Sequence, residues 1–272
     1  MKLAIILFGH LRTFEYCSEY FIKYIVDKYD CDIFMHTWDE LDSTTKCWTF
    51  KQSKLIKIND YIINKVNNLY KPKKFLIEHQ NNEHDFIISS VDGKKTLSFN
   101  GMKHMFDSMN KANKLRKQYE QETNIQYDYV LVTRPDVAIF NYLNIEETIA
   151  ESKQLNLDIS NVRFFAGLYG DSSTNVRCLI NRVCDILFFA KPSVIDRYIA
   201  ANVNLSKEHI DKTFKNVVTI YLRNEIKAGI IPIQICFAIN KDWKNFKFTE
   251  LPKKQKSKIY KFFHLYWLRG KK

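Results

Sequence analysis

The sequence lacks any apolar run long enough to cross a bilayer. Its first apolar run, Leu3 to Phe8, is also too short for the apolar region of a secretory signal peptide. Internal repeats and linkers rich in glycine, proline or serine are absent too. Hydrophobic residues make up 46% and charged residues 26% of the chain, as in ordinary globular proteins, which excludes disordered and fibrous classes. We therefore expect a folded, cytoplasmic protein.

Paired cysteines of the Cys-x-x-Cys type, typical of zinc and disulfide-redox sites, are also missing. The six cysteines are scattered along the chain, at Cys17, Cys31, Cys47, Cys178, Cys184 and Cys236. Four of them lie in apolar segments. We predict reduced cysteines, most of them in the core, without a disulfide or zinc framework.

Acidic residues are missing from positions 253–272, which hold eight Lys or Arg residues. The net charge of the chain is +12, so the other 252 residues carry only +4. Aromatic and aliphatic residues of this tail recur at helical spacing, at Ile259, Phe262, Phe263, Tyr266 and Trp267. This pattern predicts an amphipathic helix on an anionic membrane surface, or alternatively a helix docked on its own domain. A nucleic-acid-binding arm fits less well, because the body is nearly neutral.

The hydrophobic pattern of residues 1–252 predicts a single α/β domain. Residues 2–8 are typical of a buried parallel strand, Thr13 can cap a helix that follows, and residues 31–39 form a second strand. Further strands are predicted at 73–80, 127–140, 162–168, 184–191 and 230–239, and further helices at 53–69, from 102 to 116, at 192–200 and at 207–228. Turn residues mark 81–96 as an excursion. The alternation predicts a Rossmann-like three-layer sandwich with a mostly parallel central sheet.

Four polar clusters follow predicted strands. They are Gly9–Thr13, His36–Asp39, Thr133–Asp136 and Gly167–Arg182. Ligands of open α/β sheets bind outside the carboxyl ends of the strands, near the point where the strand order reverses. We therefore expect these clusters to converge on one site.

The first cluster matches neither the phosphate-binding P-loop nor the Gly-x-Gly-x-x-Gly dinucleotide motif. Gly9 allows backbone amides to approach a ligand, the helix start attracts anions, and Arg12 offers a planar fork to a pyrophosphate. The alternative is an ordinary turn with a surface arginine.

The other clusters carry candidate donor and metal ligands. Asp136 is placed to meet a divalent metal on a diphosphate, or it forms a local ion pair with Arg134. Trp38 can stack on a ring while Asp39 accepts hydroxyl hydrogens. Alternatively, His36 is a hydrogen-bonded histidine near the core and Trp38 covers the sheet. His10, His36 and Asp39 lack metal-site spacing.

Four segments in order resemble a family of bacterial and giant-virus glycosyltransferases that build capsular polysaccharide and lipooligosaccharide. They span roughly residues 3 to 200 and read GHLRTFEYC, CDIFMHTWD, MFDSMNKANKL with YDYVLVTRPDVAIF, and NRVCDILFFAKPSVIDRYIA. The resemblance implies a GT-A-like fold and a nucleotide-diphosphate sugar donor. It also implies transfer of the sugar to a hydroxyl of a glycan or lipid-linked acceptor.

The resemblance further implies a donor pocket lined by residues from three places in the chain. They are Gly9, His10 and Arg12 with Thr13 behind them, Lys111 and Asn113 on the long helix, and Arg134 and Asp136 in place of the acidic metal-binding motif. Because an arginine holds the first position of that motif, dependence on Mn²⁺ or Mg²⁺ stays open.

An inverting transferase needs a base for the acceptor hydroxyl. We predict Asp185 for this role, with Asp171 second, although Asp185 alternatively pairs with Arg182 at a strand start. A retaining enzyme does not need this base. Two other classes remain alternatives: a sulfo- or phosphotransferase that uses the Gly9 turn, and a basic module that binds nucleic acid or membrane.

Overall fold

The computed structural model describes residues 1–43, 55–81, 87–89, 96–139, 145–146, 149, 163–165, 187–203, 229–231 and 236–238. Its strands are β1 (Lys2–Phe8), β2 (Asp30–Trp38), β3 (Lys74–Glu78), β4 (Ile87–Ser89), β5 (Thr96–Ser98), β6 (Tyr129–Thr133), β7 (Val137–Ile139), β8 (Arg163–Phe165), β9 (Leu187–Ala190), β10 (Gly229–Ile231) and β11 (Cys236–Ala238). Its α-helices are α1 (Phe14–Phe21), α2 (Asp60–Tyr70), α3 (Phe99–Thr123) and α4 (Pro192–Val203).

The main sheet has seven strands in the order β10-β8-β9-β6-β1-β2-β3. β1 pairs in parallel with β2 on one side and with β6 on the other, and β2 pairs in parallel with β3. Only β9 is reversed in this sheet, because it runs antiparallel to both β6 and β8. The predicted mostly parallel sheet is confirmed. Its strand order changes direction at β1, so the crevice between β1 and β6 is where a ligand is expected.

From Leu3 to Phe8, alternate residues of β1 enter two separate cores, and all six are fully buried. Leu3, Ile5 and Leu7 pack with apolar residues of α1 and α2. Ala4, Ile6 and Phe8 pack with those of α3 and α4. Helices therefore cover both faces of the sheet, which confirms the three-layer arrangement and explains the uninterrupted apolar run in the sequence.

Helix boundaries differ in part from the predicted ones. Thr13 is the N-cap residue of α1, as predicted, but its side chain makes no capping hydrogen bond. After α1 the chain continues as a π-helical turn, Ile22–Val26. α2 begins at Asp60, because the Asn59 side chain caps it by accepting the Ile62 amide at 3.1 Å. The predicted helix start near 53 is therefore wrong for residues 55–59, which hydrogen-bond to residues 39–41 instead.

The long strand predicted over 127–140 divides at Pro135. β6 ends at Thr133, and β7 leaves the main sheet to pair with β11 in a separate two-stranded sheet. The interruption was expected because proline cannot donate a ladder hydrogen bond. In the predicted excursion, β4 and β5 form an antiparallel pair.

Two sequence predictions can be compared with the described part of the chain. Cys17 and Cys31 are free thiols, with Cys17 buried, as predicted. No helix among the described residues combines the length and apolarity needed to span a membrane. The predicted helix at 207–228 and the tail at 253–272 lie outside the described residues.

Candidate functional site

Three of the four predicted polar clusters meet at the carboxyl edge of the sheet. Arg12, just after β1, donates from Nη1 to Asp136 Oδ2, just after β6, at 2.9 Å. His10 Nδ1 lies 3.0 Å from the carbonyl oxygen of Glu40, just after β2. The fourth cluster, 167–182, lies outside the described residues. The predicted convergence is thus observed for the three strands β1, β2 and β6.

Asp136 is the buried centre of this edge, with 1% of its surface exposed. Arg134 donates from Nε to Oδ1 at 2.7 Å and from Nη2 to Oδ2, which also accepts from Arg12. Burial alone raises the pKa of the carboxyl, but the charges of Arg134 and Arg12 outweigh it and hold the pKa below its ordinary value. The carboxylate is therefore ionised, and the Arg134–Asp136 ion pair considered from the sequence is present.

A divalent metal does not fit at Asp136. Both carboxylate oxygens already accept from guanidinium groups, and the two positive charges beside them repel a cation. Among the described residues, no group of three His, Cys, Asp or Glu side chains is arranged to hold a metal ion. Asp136 therefore does not suit the metal-ligand role predicted from the sequence.

Arg12 occupies a strained position between two carboxylates. Its φ is +46°, in the left-handed region, where a side chain costs roughly 1–2 kcal/mol. The strain is offset by three bonds: its amide donates to the Leu41 carbonyl at 2.8 Å, Nε donates to Asp42 at 2.6 Å, and Nη1 donates to Asp136. About a fifth of the side chain remains exposed, at 21%, so a ligand at this edge can reach the guanidinium.

Gly9 turns the chain out of β1 with a φ of +88°. The sequence suggested that backbone amides at Gly9 approach a ligand. The Gly9 amide instead donates to Ser108 Oγ on α3 at 2.8 Å. A Cβ placed on Gly9 would meet no atom of the described residues within 4 Å. The Cα of Gly9 therefore borders open space at the edge, where a ligand can approach it closely.

We expect Gly9→Ala to lower the free energy of unfolding by about 1–2 kcal/mol, because alanine disfavours this backbone conformation. The added methyl group would also enter the open space and weaken ligand binding there. Urea titration measures the first effect. Gly9→Asn serves as the comparison, since asparagine tolerates positive φ better and should cost less. Equal stability of Gly9→Ala and wild type would mean that the turn relaxes to another conformation.

The two histidines at this edge are buried and neutral. Burial, helped by the charge of Arg12, lowers the pKa of His10 to about 4. His36 is fully buried, with Nδ1 2.7 Å from Ser108 Oγ and Nε2 3.1 Å from Glu78 Oε2. Burial also lowers the pKa of His36 to about 4. Of the two roles that the sequence allowed for His36, the structure therefore shows the hydrogen-bonded histidine near the core.

Trp38 has no open ring face for the predicted stacking, since only 3% of it is exposed. Its ring packs edge-on against His36 and His104, and Lys111 Nζ lies 5.0 Å from its centroid. Trp38 therefore covers the end of the sheet, which is the alternative weighed for it from the sequence.

Asp39 follows directly after β2, and its two carboxylate oxygens have different surroundings. Oδ2 accepts from Lys57 at 2.9 Å and lies 3.1 Å from His79 Nδ1. Burial raises the pKa of Asp39, but the hydrogen bonds from Lys57 and His79 outweigh burial and hold the pKa below its ordinary value. The group is therefore ionised. Oδ1 is shielded from solvent and has no hydrogen-bond partner in the described part of the chain. The predicted contact of Asp39 with a ligand hydroxyl stays a prediction.

Lys111 and Asn113 face different sides of α3. Lys111 Nζ lies 2.8 Å from Glu78 Oε2, at the carboxyl end of β3. Asn113 donates to Asp196 on α4 at 2.6 Å and accepts from the buried Arg116 at 2.9 Å. Two residues correspond to about 200° around a helix, so only one of the pair can face the edge. Lys111 is at the edge, whereas Asn113 contributes to the contact between α3 and α4.

Ser108, Glu78 and Asp42 lie at this edge but are not among the residues predicted from the sequence. Glu78 ends β3 and lies near the end of the strand predicted at 73–80, so its position after an apolar strand was a signal for it. Ser108 is a fully buried polar residue within the apolar stripe of α3, next to Met109.

Thr13 lies behind Arg12, with Oγ1 3.6 Å from Cys17 Sγ. The predicted bases Asp171 and Asp185 lie outside the described residues.

Fold and edge together define an α/β protein with a charged site at the switch point of a mostly parallel sheet. The chain belongs to the family described as Domain of unknown function (DUF7796), which matches residues 1–162. No curated protein matches the sequence. Among solved structures, the chain is similar to the "crystal structure of a glycosyltransferase involved in the glycosylation of the major capsid of PBCV-1", with a TM-score of 0.31 and 8% identity. That alignment covers 85% of this chain and 83% of the other.

Proposed function

We propose that this protein is a GT-A-like glycosyltransferase that binds a nucleotide-diphosphate sugar at the carboxyl edge of β1, β2 and β6. One observation carries the proposal. Arg12 and Arg134, from the two strands that flank the switch point, meet at the buried Asp136. This places two guanidinium groups in the crevice where open α/β sheets bind their ligands.

The chemistry of this edge suits a diphosphate and a sugar or ribose. Guanidinium groups bind phosphate oxygens through paired hydrogen bonds, and Arg12 is exposed enough to do so. Open space at Gly9 allows a phosphate to approach the backbone. Asp39, just after β2, is the acceptor that we propose for a sugar or ribose hydroxyl.

In the proposed reaction, a bond forms between the acceptor hydroxyl oxygen and the anomeric carbon of the sugar. The bond between that carbon and the diphosphate oxygen breaks, and the nucleoside diphosphate leaves with the electron pair. Positive charge from Arg12 and Arg134 stabilises the leaving diphosphate without a metal at Asp136. For an inverting enzyme, the acceptor proton passes to a base, for which Asp185 and then Asp171 remain the predicted candidates.

The acceptor in this proposal is a hydroxyl of a glycan or a lipid-linked glycan. Residues 253–272 would bring the enzyme to the inner face of a membrane where such an acceptor resides. Both points rest on the sequence pattern of the basic tail and on the resemblance described for residues 3 to 200.

A thermal-shift panel tests the proposal. We expect nucleoside diphosphates and their sugars to raise the Tm, because a ligand at 100 times its Kd stabilises a protein by about 2.7 kcal/mol. The matching measurement of activity is release of nucleoside diphosphate from the sugar donor that gives the largest shift. No shift with any of these ligands would contradict the proposal. A shift with only nucleoside triphosphate or phosphoadenosine phosphosulfate would favour the sulfo- or phosphotransferase alternative.

A further inference from the structure

A continuous chain of hydrogen bonds links the Gly9 turn to the end of β3. The Gly9 amide donates to Ser108 Oγ at 2.8 Å, and Ser108 Oγ lies 2.7 Å from His36 Nδ1. His36 Nε2 lies 3.1 Å from Glu78 Oε2, which also accepts from Lys111 at 2.8 Å. The chain thus joins β1, β2, β3 and α3 through the fully buried Ser108 and His36, and it ends at Glu78, whose side chain is partly exposed.

The direction of each bond follows from the partners. The side-chain bond from Lys111 outweighs the effect of burial and holds the pKa of the Glu78 carboxyl below its ordinary value, so Glu78 can only accept. His36 is neutral and carries one ring proton, which must therefore be on Nε2 to bond to Glu78. Nδ1 is then an acceptor, so the Ser108 hydroxyl donates to it. Because its own hydrogen is used, the Ser108 oxygen accepts from the Gly9 amide.

The three side chains Ser108, His36 and Glu78 are not arranged as a nucleophilic triad. Ser108 is fully buried, and its oxygen already accepts the Gly9 amide. A substrate carbonyl therefore cannot reach Oγ. The chain of bonds instead ends in the backbone of the turn that presents Arg12.

We propose that Ser108 and His36 are positioning residues that hold the Gly9 turn in the conformation that binds the donor diphosphate. Ser108 fixes the amide of Gly9, and His36 fixes the orientation of the Ser108 hydroxyl. Glu78, itself held by Lys111, selects the tautomer of His36 that can accept from Ser108. The part of this inference that concerns the donor rests on the proposed function, whereas the tautomer and the Gly9 contact do not.

Nuclear magnetic resonance of the ligand-free full chain tests the hydrogen-bond directions. We expect the neutral Nε2–H tautomer of His36 and slow exchange of the Gly9 amide hydrogen. Ser108→Ala should speed this exchange, because the acceptor of the amide is gone. Ser18→Ala is the matched control: Ser18 is also a buried helix serine, but its hydroxyl bonds only to the Glu15 carbonyl. An Nδ1–H tautomer, or equal Gly9 exchange in all three proteins, would overturn the inference.

Two His36 variants separate positioning from folding. The Oδ1 of asparagine can replace Nδ1 as the acceptor for Ser108, whereas the amide of glutamine can replace Nε2 as the donor to Glu78. Each variant loses one of the two hydrogen bonds of the His36 ring, so both should be destabilised. We expect His36→Asn to keep slow Gly9 exchange and donor affinity close to wild type. His36→Gln should show faster Gly9 exchange and weaker donor binding. We expect its Kd to rise roughly threefold to tenfold, the change that one hydrogen bond gives.

Equal donor affinity and equal Gly9 exchange in the two His36 variants would overturn the positioning role. If the wild-type chain binds no nucleotide-diphosphate sugar, the proposed function fails, yet the tautomer and the Gly9 exchange still decide whether the turn is positioned as proposed. The His36 pair also covers the case in which Ser108→Ala does not fold.

Discussion

Replacing Asp136 with asparagine should lower the free energy of unfolding by about 3 kcal/mol. Removing one partner of a buried ion pair costs about 3–5 kcal/mol, because the remaining charge is uncompensated. The lower value applies here because the side chains of Arg12 and Arg134 are each 21% exposed and keep some contact with water. Urea titration of both proteins measures the difference.

Asp30→Asn is the matched control for this prediction. Asp30 pairs with Lys2 at 3.3 Å, but its side chain is 72% exposed, so its loss should cost less than about 1 kcal/mol. If Asp136→Asn and Asp30→Asn cost the same, the two arginines do not depend on Asp136 for their charge balance.

The stability difference between wild type and Asp136→Asn should also depend on pH. Because the folded pKa of Asp136 is below its ordinary value of 3.8, its stabilisation is complete above the unfolded pKa and is lost as the pH falls through the folded pKa. The difference should be constant above about pH 4 and shrink below it. His10 and His36, each with a pKa lowered to about 4, reduce the stability of both proteins as the pH falls from 6.5 to 4. A stability difference between the two proteins that stays constant down to the lowest pH at which they fold would contradict the lowered pKa of Asp136.

Replacing Arg12 with alanine should weaken the binding of a nucleoside diphosphate roughly tenfold to a hundredfold. This range corresponds to about 1.5–3 kcal/mol, the contribution of a hydrogen bond to a charged group. Alanine keeps a Cβ at the same positive φ, so the strain of the turn is unchanged. Arg12→Lys should have an intermediate effect, because lysine keeps the charge but lacks the planar fork. Isothermal titration calorimetry measures each Kd.

The control for Arg12 is Arg197→Ala, which removes an exposed arginine from α4 and should leave the Kd unchanged. Titrations of the wild-type chain in EDTA should give the same Kd as titrations without EDTA, since no metal fits at Asp136. Loss of binding in EDTA with recovery in Mn²⁺ would show that the donor depends on a metal held elsewhere. Unchanged affinity in Arg12→Ala would remove Arg12 from the proposed site.

The sequence predicted the fold best where a short segment is compatible with few local structures. The run Leu3 to Phe8 is typical of a strand buried on both faces, and Pro135 is incompatible with the middle of a central strand. The clusters at the ends of β1, β2 and β6 followed from the general geometry of parallel sheets. These features depend on local chemistry, which the sequence contains directly.

Other features depended on partners that are distant in sequence. The sequence allowed Asp136 to be a metal ligand or the ion-pair partner of Arg134, but the second ion pair, with Arg12 124 residues away, had no local signal. Ser108 became significant only when α3 was placed against β1 and β2. The reversal of β9 also had no local signal, since an apolar run of four residues is equally compatible with either direction.

The reversal of β9 brings two described residues from different strands to one edge of the sheet. β8 is parallel to β6, so Phe165 lies at the carboxyl edge, and Leu187 pairs with Thr133 at the end of β6. Phe165 and Leu187 therefore both lie at the edge that carries Arg12 and Asp136. Had β9 been parallel, Leu187 would lie at the opposite edge. The single reversed strand thus sets both residues beside the proposed donor site.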